Sequence, residues 1–370
     1  MAVIQFIIGL GQCGNRLAKT FSEEFEAPCC FLNLATIDYA QSGFPKSAIL
    51  AIDENGTGRD PEVGERLAQE HKPQILKFLE RQFPELDKGD RVLVCVGLGG
   101  GSGSGLLSLV LSWLFSKKSE VLLVATLPQD SESLPAKPNA LSSLNTIIKK
   151  YLKPKKLTLL VVDNQFALER YGTEDDDIDE DSGNYWFKVN RGIVKSLVRY
   201  RNLTDMEQYL NAVEISSGIG SFDERELIRV LFYKGGIIDI RELVCNKLDL
   251  DLISSAKFRS LIFGNLDIGT TKMYAVAVGF PYSMRNDPNV PEFLDMIYKK
   301  LSKITHTTFV LRSSHFNKKS KAIHVNVLLS GLTQSKGLNK IIKHTAKDVA
   351  KYNSKADIEK LDLTGIKFKG

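Results

Sequence analysis

Cysteine is scarce in this 370-residue chain and poorly placed for structural chemistry. The five cysteines, Cys13, Cys29, Cys30, Cys95 and Cys245, form no C-x-x-C pair, and no histidines stand at zinc spacing around them. An odd count, with Cys95 inside an apolar run, speaks against a disulfide framework and structural zinc and for a reducing compartment. Long hydrophobic runs are also missing: nothing approaches the roughly 18 consecutive apolar residues of a membrane span. The opening MAVIQFIIGLG is apolar but has neither a basic n-region nor a small-residue cleavage site. It reads as a buried strand and not a signal peptide, so the chain is expected to be cytoplasmic, without direct membrane contact. No G-K-[ST] follows either glycine run, which removes a Walker P-loop.

What is present is ordinary for a globular protein, with 43% hydrophobic and 25% charged residues, but the charge is uneven. Residues 174–181 spell EDDDIDED, expected to be a solvated loop. From Lys336 to the end nine lysines face four acidic residues, so this tail supplies as much positive charge as the whole chain nets, +5.

The first half alternates short β-rich runs with helical stretches. Strands are expected at 3–9, 31–38, 47–53, 91–97, 120–128 and 157–164, and helices at 14–25, 61–82, 103–116 and 139–152. Apolar strands alternating with helices predict a parallel sheet covered on both faces. In NYWFKVNRGIVKSLVRYR, Trp186, Val189, Ile193, Leu197 and Tyr200 recur at helical spacing, predicting a long central helix. Strands at 272–280, 305–314 and 322–331 predict a second, smaller α/β unit, and an amphipathic basic helix is expected near 337–360. The domain reading is therefore 1–183 for nucleotide binding, 184–203 for the central helix, 204–335 for the second α/β domain, and 336–370 for the C-terminal helix and basic tail.

Two glycine runs carry the chemistry. FIIGLGQCGN places Gly9, Gly11 and Gly14 as G-x-G-x-x-G after an apolar strand, a dinucleotide-type turn that is a weak signal alone. A dehydrogenase would use one such turn and then an acidic residue about 20 positions on, where Asp38 lies nearby. The second run, VLVCVGLGGGSGSG, puts Gly99 to Gly105 between another apolar strand and a helical pattern. So many glycines cost chain entropy and add no packing, which makes sense where backbone must approach a ligand closely. Successive N–H groups at a helix start form an anion nest, and Ser102 and Ser104 add hydroxyl donors.

GLGQCGNR followed by GGGSGSG resembles the tubulin/FtsZ superfamily of GTPases, whose signature is G-G-G-[TS]-G-[TS]-G, and the likeness continues in order over most of 1–335. The resemblance implies a GTP/GDP pocket with Mg²⁺ and no dedicated metal cage. Gly11, Gln12, Cys13 and Asn15 in the first turn, and Gly100, Gly101, Ser102, Gly103 and Ser104 in the second, would face phosphate. Thr57 and Gly58 belong to GTGRDPEVG, similar to the loop that senses the γ-phosphate in bacterial members. Glu132 matches a ribose-contacting position, Asn164 a guanine-binding asparagine, and Trp186 with Asn190 the aromatic and asparagine that hold the base. Trp186 and Asn190 share one helix face, where an indole can stack on a purine and an amide can read its edge. Taken singly, Trp186 also reads as a core aromatic and Asn164 as a turn cap.

The family's hydrolytic carboxylates, spaced D-x-x-D/E, complete the site of a neighbouring subunit. SFDEREL offers Asp223 and Glu226, the preferred pair; IIDIREL offers Asp239 and Glu242; either also reads as an acidic helix start. The resemblance thus implies a GTP-hydrolysing filament assembled head to tail. The tail most resembles the TubZ branch of plasmid and phage tubulins, which implies DNA segregation and a possible DNA-bound adaptor (TubR) for 336–370. The alternatives are an FtsZ-like division or phage-positioning filament and, more distantly, an NAD(P)-dependent oxidoreductase.

Overall fold

The computed structural model describes residues 2–36, 44–53, 55–133, 135–172, 185–202, 213–215, 223–248, 259–260, 268–307, 309–318 and 320–333. Asp38, the acidic block 174–181 and the basic tail from 336 lie outside the described residues, as do the expected domain boundaries at 183, 203 and 335.

The first half folds as β1 (Phe6–Leu10), α1 (Gly11–Phe25), β2 (Cys29–Ala35), β3 (Ile49–Asp53), α2 (Pro61–Glu70), α3 (Lys72–Gln82), β4 (Arg91–Gly97), α4 (Gly101–Ser116), β5 (Glu120–Leu127), α5 (Ala136–Ile147), β6 (Thr158–Asp163) and α6 (Asn164–Tyr171). Then come α7 (Tyr185–Asn202), β7 (Val213–Ile215), α8 (Glu224–Leu231), β8 (Ile237–Cys245), β9 (Arg259–Ser260), β10 (Met273–Pro281), α9 (Val290–Thr305), β11 (Val310–Asn317) and β12 (Ile323–Leu332). The twelve strands form one sheet in the order β3-β2-β1-β4-β5-β6-β8-β12-β10-β11-β7, with β9 on β8. From β3 to β6 every pairing is parallel. The second half joins where β6 lies parallel to β8, Leu159 opposite Ile237, and continues as a mixed sheet.

Side chains alternate across the pleat and fill two cores. Val92, Val94 and Val96 of β4 face a core covered by α2 to α5 and α9, whereas Leu93 and Cys95 face one covered by α1, α7 and α8. The predicted stripe on α7 is realised: Val189, Ile193, Leu197 and Tyr200 are buried in the second core.

Four expected elements differ; the strand expected at 305–314 runs Val310–Asn317, because Thr305 still closes α9. The helix expected at 61–82 is two, broken at His71 (φ −99°, ψ 14°), because Pro73 has no N–H to donate and its ring clashes with the carbonyl four residues back. The helix expected at 139–152 starts earlier and ends in a π turn, Ile148–Leu152. IIDIREL, considered as a helix start, lies within strand β8.

Candidate functional site

In the parallel part of the sheet the chain moves one way through β1, β2 and β3 and the other way through β4, β5 and β6. Crossovers of one hand then place α1 and α4 on opposite faces, which opens a crevice at the carboxyl ends of β1 and β4. Both glycine runs sit at this switch point. They interlock: Gly11 has φ +69°, and a Cβ there would stand 2.8 Å from the backbone nitrogen of Gly103. A Cβ on Gly103 would in turn meet the carbonyl oxygen of Leu10 at 2.9 Å. Glycine is what lets the two turns touch.

Around them lies a cavity of about 390 Å³. Its floor is Gly11, Gln12 and Cys13 from the first turn and Gly100, Gly101, Ser102 and Gly103 from the second. Thr57, Gly58, Glu132 and Asn164 complete its lining. The helices that open there, α1 and α4, have no side-chain N-cap and no acidic residue in their first turns. Their leading N–H groups and positive dipole ends are therefore available to an anion. A Cβ on Gly100 would meet no protein atom within 4 Å, so open space lies over the start of α4. Arg59 and Glu132 are the charged residues among those lining the cavity. A donor-rich floor with little carboxylate suits a phosphate chain. Among the described residues no three His, Cys, Asp or Glu side chains gather as a metal cage.

The walls are held by local hydrogen bonds. Asp60 caps α2 by accepting from the backbone nitrogens of Glu62 (2.8 Å) and Val63 (3.4 Å). Arg59 donates to the Ser133 hydroxyl, and Asn139 donates to the carbonyl of Arg59 (2.7 Å), tying the 55–60 loop to the segment after β5. Glu132 accepts from the backbone nitrogen of Gln129 (3.1 Å). Asp163 caps α6 through Gln165 and Phe166, so Asn164 is not the turn cap; it opens the helix, 5% exposed, at the cavity wall. Cys13 lies 3.3 Å from the Thr126 hydroxyl, and burial pushes its thiol up, which keeps it neutral.

Six expected residues stand off the cavity. Asn15 is buried beneath it and donates to the Leu32 carbonyl (3.2 Å), and the Ser104 hydroxyl donates to the Leu98 carbonyl (3.1 Å). Trp186 and Asn190 are half-buried on α7 and do not line the cavity; Trp186 packs on the second core. Asp223 and Glu226 form a capping box at the start of α8, Asp223 accepting from Arg225 (2.6 Å) and Glu226 accepting from the Asp223 nitrogen (3.3 Å). They do not line their own chain's cavity. Asn33, Ala35, Asn55 and Arg59 line it without having been singled out; Arg59 lies within GTGRDPEVG, and Asn33 and Ala35 stand at the end of an apolar strand.

The second acidic pair is separated by the pleat. Asp239 shares its face with Ile237 and Leu243 in the first core, and Glu242 shares its face with Ile238 and Ile240 in the second. Asp239 accepts from Ser260 (2.5 Å) and Arg241 (2.8 Å), and burial raises its pKa. Glu242 pairs with Arg199, Arg170 and His324. Burial alone would raise it, but the His324 hydrogen bond and the two guanidinium charges outweigh this and hold the carboxyl at about 2.

Comparison with known proteins agrees with this geometry. Residues 5–171 match the Tubulin/FtsZ family, GTPase domain. The chain is 22% identical over 371 residues to the tubulin-like protein CetZ of Pyrococcus horikoshii, covering 96% of this chain and 94% of that protein. It is 26% identical to the tubulin-like protein TubZ of Bacillus cereus, over 37% of this chain and 32% of that protein. Its fold superposes on the GDP-form protofilament structure of Bacillus thuringiensis serovar israelensis TubZ with a TM-score of 0.75 at 20% identity, covering 99% and 95% of the two chains. From the interlocked turns at the switch point to the likeness along the chain, the fold is tubulin/FtsZ-like, and residues 5–171 match that family's GTPase domain.

Proposed function

We propose that the chain binds GTP in the crevice between α1 and α4, hydrolyses it, and assembles head to tail into filaments. The observation that carries this reading is the pair of uncapped glycine turns facing one cavity at the strand-order switch. Backbone N–H groups of Gly11, Gln12, Cys13 and Gly100 to Gly103 hold the phosphates, with Thr57 and Gly58 at the γ-phosphate side. Glu132 takes the ribose, and Asn164 the base. Trp186 and Asn190, on α7 outside the cavity lining, would hold the base after a shift of α7 toward the cavity. Mg²⁺, held chiefly by phosphate and water beside Gln12, would offset charge on the leaving phosphate.

Asp223 and Glu226, outside their own cavity, serve the cavity of the next copy by orienting the attacking water. A site completed across a heterologous contact does not close into a ring unless the rotation allows it, and an open filament follows. Hydrolysis then weakens the contact that performed it. The protofilament structures of TubZ support this assembly.

DNA segregation, with an adaptor on the 336–370 tail, is the cargo reading that the resemblance of that tail's sequence to the TubZ branch supports. A second reading, a tubulin-like filament with another role, is favoured by the whole-length similarity to CetZ. The oxidoreductase alternative predicts NADH binding without GTP binding. The deciding experiment is GTP turnover per subunit across protein concentration, read beside sedimentation: turnover should rise steeply where polymer forms. Constant specific activity down to high dilution refutes the composite site.

A further inference from the structure

Strands β4, β5, β6 and β8 run parallel, so the segments that enter them share the end of the sheet opposite the cavity. Backbone hydrogen bonds join these segments into a rim. The Gly89 nitrogen donates to the Lys118 carbonyl (3.2 Å), the Glu120 nitrogen to the Asp90 carbonyl (2.8 Å), and the Gly235 nitrogen to the Leu157 carbonyl (2.8 Å). The rim is crowded with lysine. Lys88 precedes β4, Lys118 precedes β5, and Lys149, Lys150, Lys153 and Lys156 precede β6; all six are exposed. Among the described residues none of the six pairs with a carboxylate. Of the acids near the rim, Asp90 accepts from Gln5 (2.7 Å) and the Asp87 nitrogen (2.7 Å), Glu120 pairs with Lys234 (3.0 Å), and Glu85 and Asp87 are exposed beside Lys88, so the six lysines outnumber them.

We propose that this rim is a docking surface for the phosphate backbone of double-stranded nucleic acid. Lysines are hydrated point charges on flexible stems, suited to contacting phosphates without reading bases. The large apolar side chains exposed among the described residues are Phe187, Val244 and Met296, none of them on the rim. A protein partner would want an apolar centre from which lysine is depleted. Stable membrane anchoring takes a second, apolar signal beside charge. A duplex, with one charge per roughly 1.7 Å of axis, needs charge alone. The site lies at the end of the strands opposite the nucleotide cavity.

The test is fluorescence anisotropy of the full chain with a labelled duplex of arbitrary sequence, titrated across salt. The rim variant is Lys149→Gln with Lys150→Gln and Lys153→Gln. The control, Lys72→Gln with Lys77→Gln and Lys303→Gln, makes the same charge change on exposed helix positions off the rim. All six positions are exposed, and an unchanged thermal midpoint verifies folding. The rim variant should flatten the slope of log K against log salt by roughly 3 and weaken binding at low salt at least about tenfold, with the control close to wild type. Equal effects of the two variants overturn the proposal and assign the binding to charge elsewhere, the tail included. A wild-type chain that fails to bind the duplex at low salt, or binds phosphatidylserine vesicles in its place, overturns it as well.

Discussion

Gly100→Ala separates a glycine kept for the ligand from one kept for the fold. Gly100 sits at φ −100°, ψ 162°, extended backbone open to any residue. An added Cβ meets no atom within 4 Å. The substitution should leave stability unchanged or raise it by about 0.4–1 kcal/mol, through a less free unfolded chain. Its neighbour behaves oppositely. A Cβ on Gly101 would stand 2.4 Å from Thr57 Oγ1 and 2.5 Å from the Asp60 carbonyl oxygen, one contact being to backbone that cannot step aside. Overpacking of this kind costs about 1–3 kcal/mol, or a thermal midpoint lower by roughly 2–12 °C. Both variants should lose nucleotide, but for different reasons. At Gly100 the methyl group enters the space over the α4 N-terminus and displaces a phosphate from N–H donors. A charge-assisted hydrogen bond contributes about 1.5–3 kcal/mol, so GTP affinity should fall roughly 10- to 150-fold. Thermal unfolding without ligand and equilibrium titration with a fluorescent GTP analogue read the two quantities. Wild-type affinity in Gly100→Ala would show that phosphate does not lie over α4. An equal loss of thermal stability in both variants would refute the packing argument.

Asp223→Asn keeps the helix cap, since Asn caps as well as Asp, but removes the carboxylate; it should melt like wild type and form filaments that persist with GTP. Normal GTP turnover in that variant would exclude this loop from hydrolysis. Glu242→Gln should cost about 1–3 kcal/mol, below the full value of a broken buried pair because Arg170 and Arg199 are about one-third exposed. Because the folded Glu242 carboxyl titrates at about 2, below its unfolded value, its contribution is complete above the unfolded pKa and fades as pH falls from about 5 toward 2. Urea midpoints should therefore drop more steeply in wild type than in Glu242→Gln over that window, and parallel curves would contradict the assignment. Cys13→Ser should leave GTP affinity unchanged, because the backbone N–H is the group in use; a large loss on titration would give the sulfur a role.

The parallel half of the fold was legible because its strands are buried on both faces and its turns are glycine-rich. Apolar runs such as RVLVCVG can be little else when a helical pattern follows each one. What periodicity could not resolve was the second half, where strands are mixed in direction and β8 carries charge. IIDIREL holds an Asp, an Arg and a Glu within seven residues, and in sequence that pattern reads as a helix start. Long-range partners decide otherwise. Ser260, helped by neighbouring Arg241, satisfies Asp239 on one face, and arginines from α6 and α7 satisfy Glu242 on the other. No local rule anticipates either.

The same reasoning distinguishes the two acidic pairs as chemistry. Residues three apart in a helix lie on one face, whereas in a strand they lie on opposite faces. Asp223, exposed, and Glu226, half-buried, share a helix start, and in the proposed filament both carboxylates would face one water in the neighbouring cavity. Asp239 and Glu242 have the same spacing but a sheet between them, and each is already engaged by guanidinium or hydroxyl donors. Burial raises one and ion pairing lowers the other, so the two diverge in protonation as well as position. A shared spacing in sequence therefore carries no shared function; the element beneath it decides. In this chain Glu242 instead links α6, which opens at the cavity with Asn164, to α7 and β8, so removing its charge should loosen the joint between the two halves and leave the phosphate floor intact.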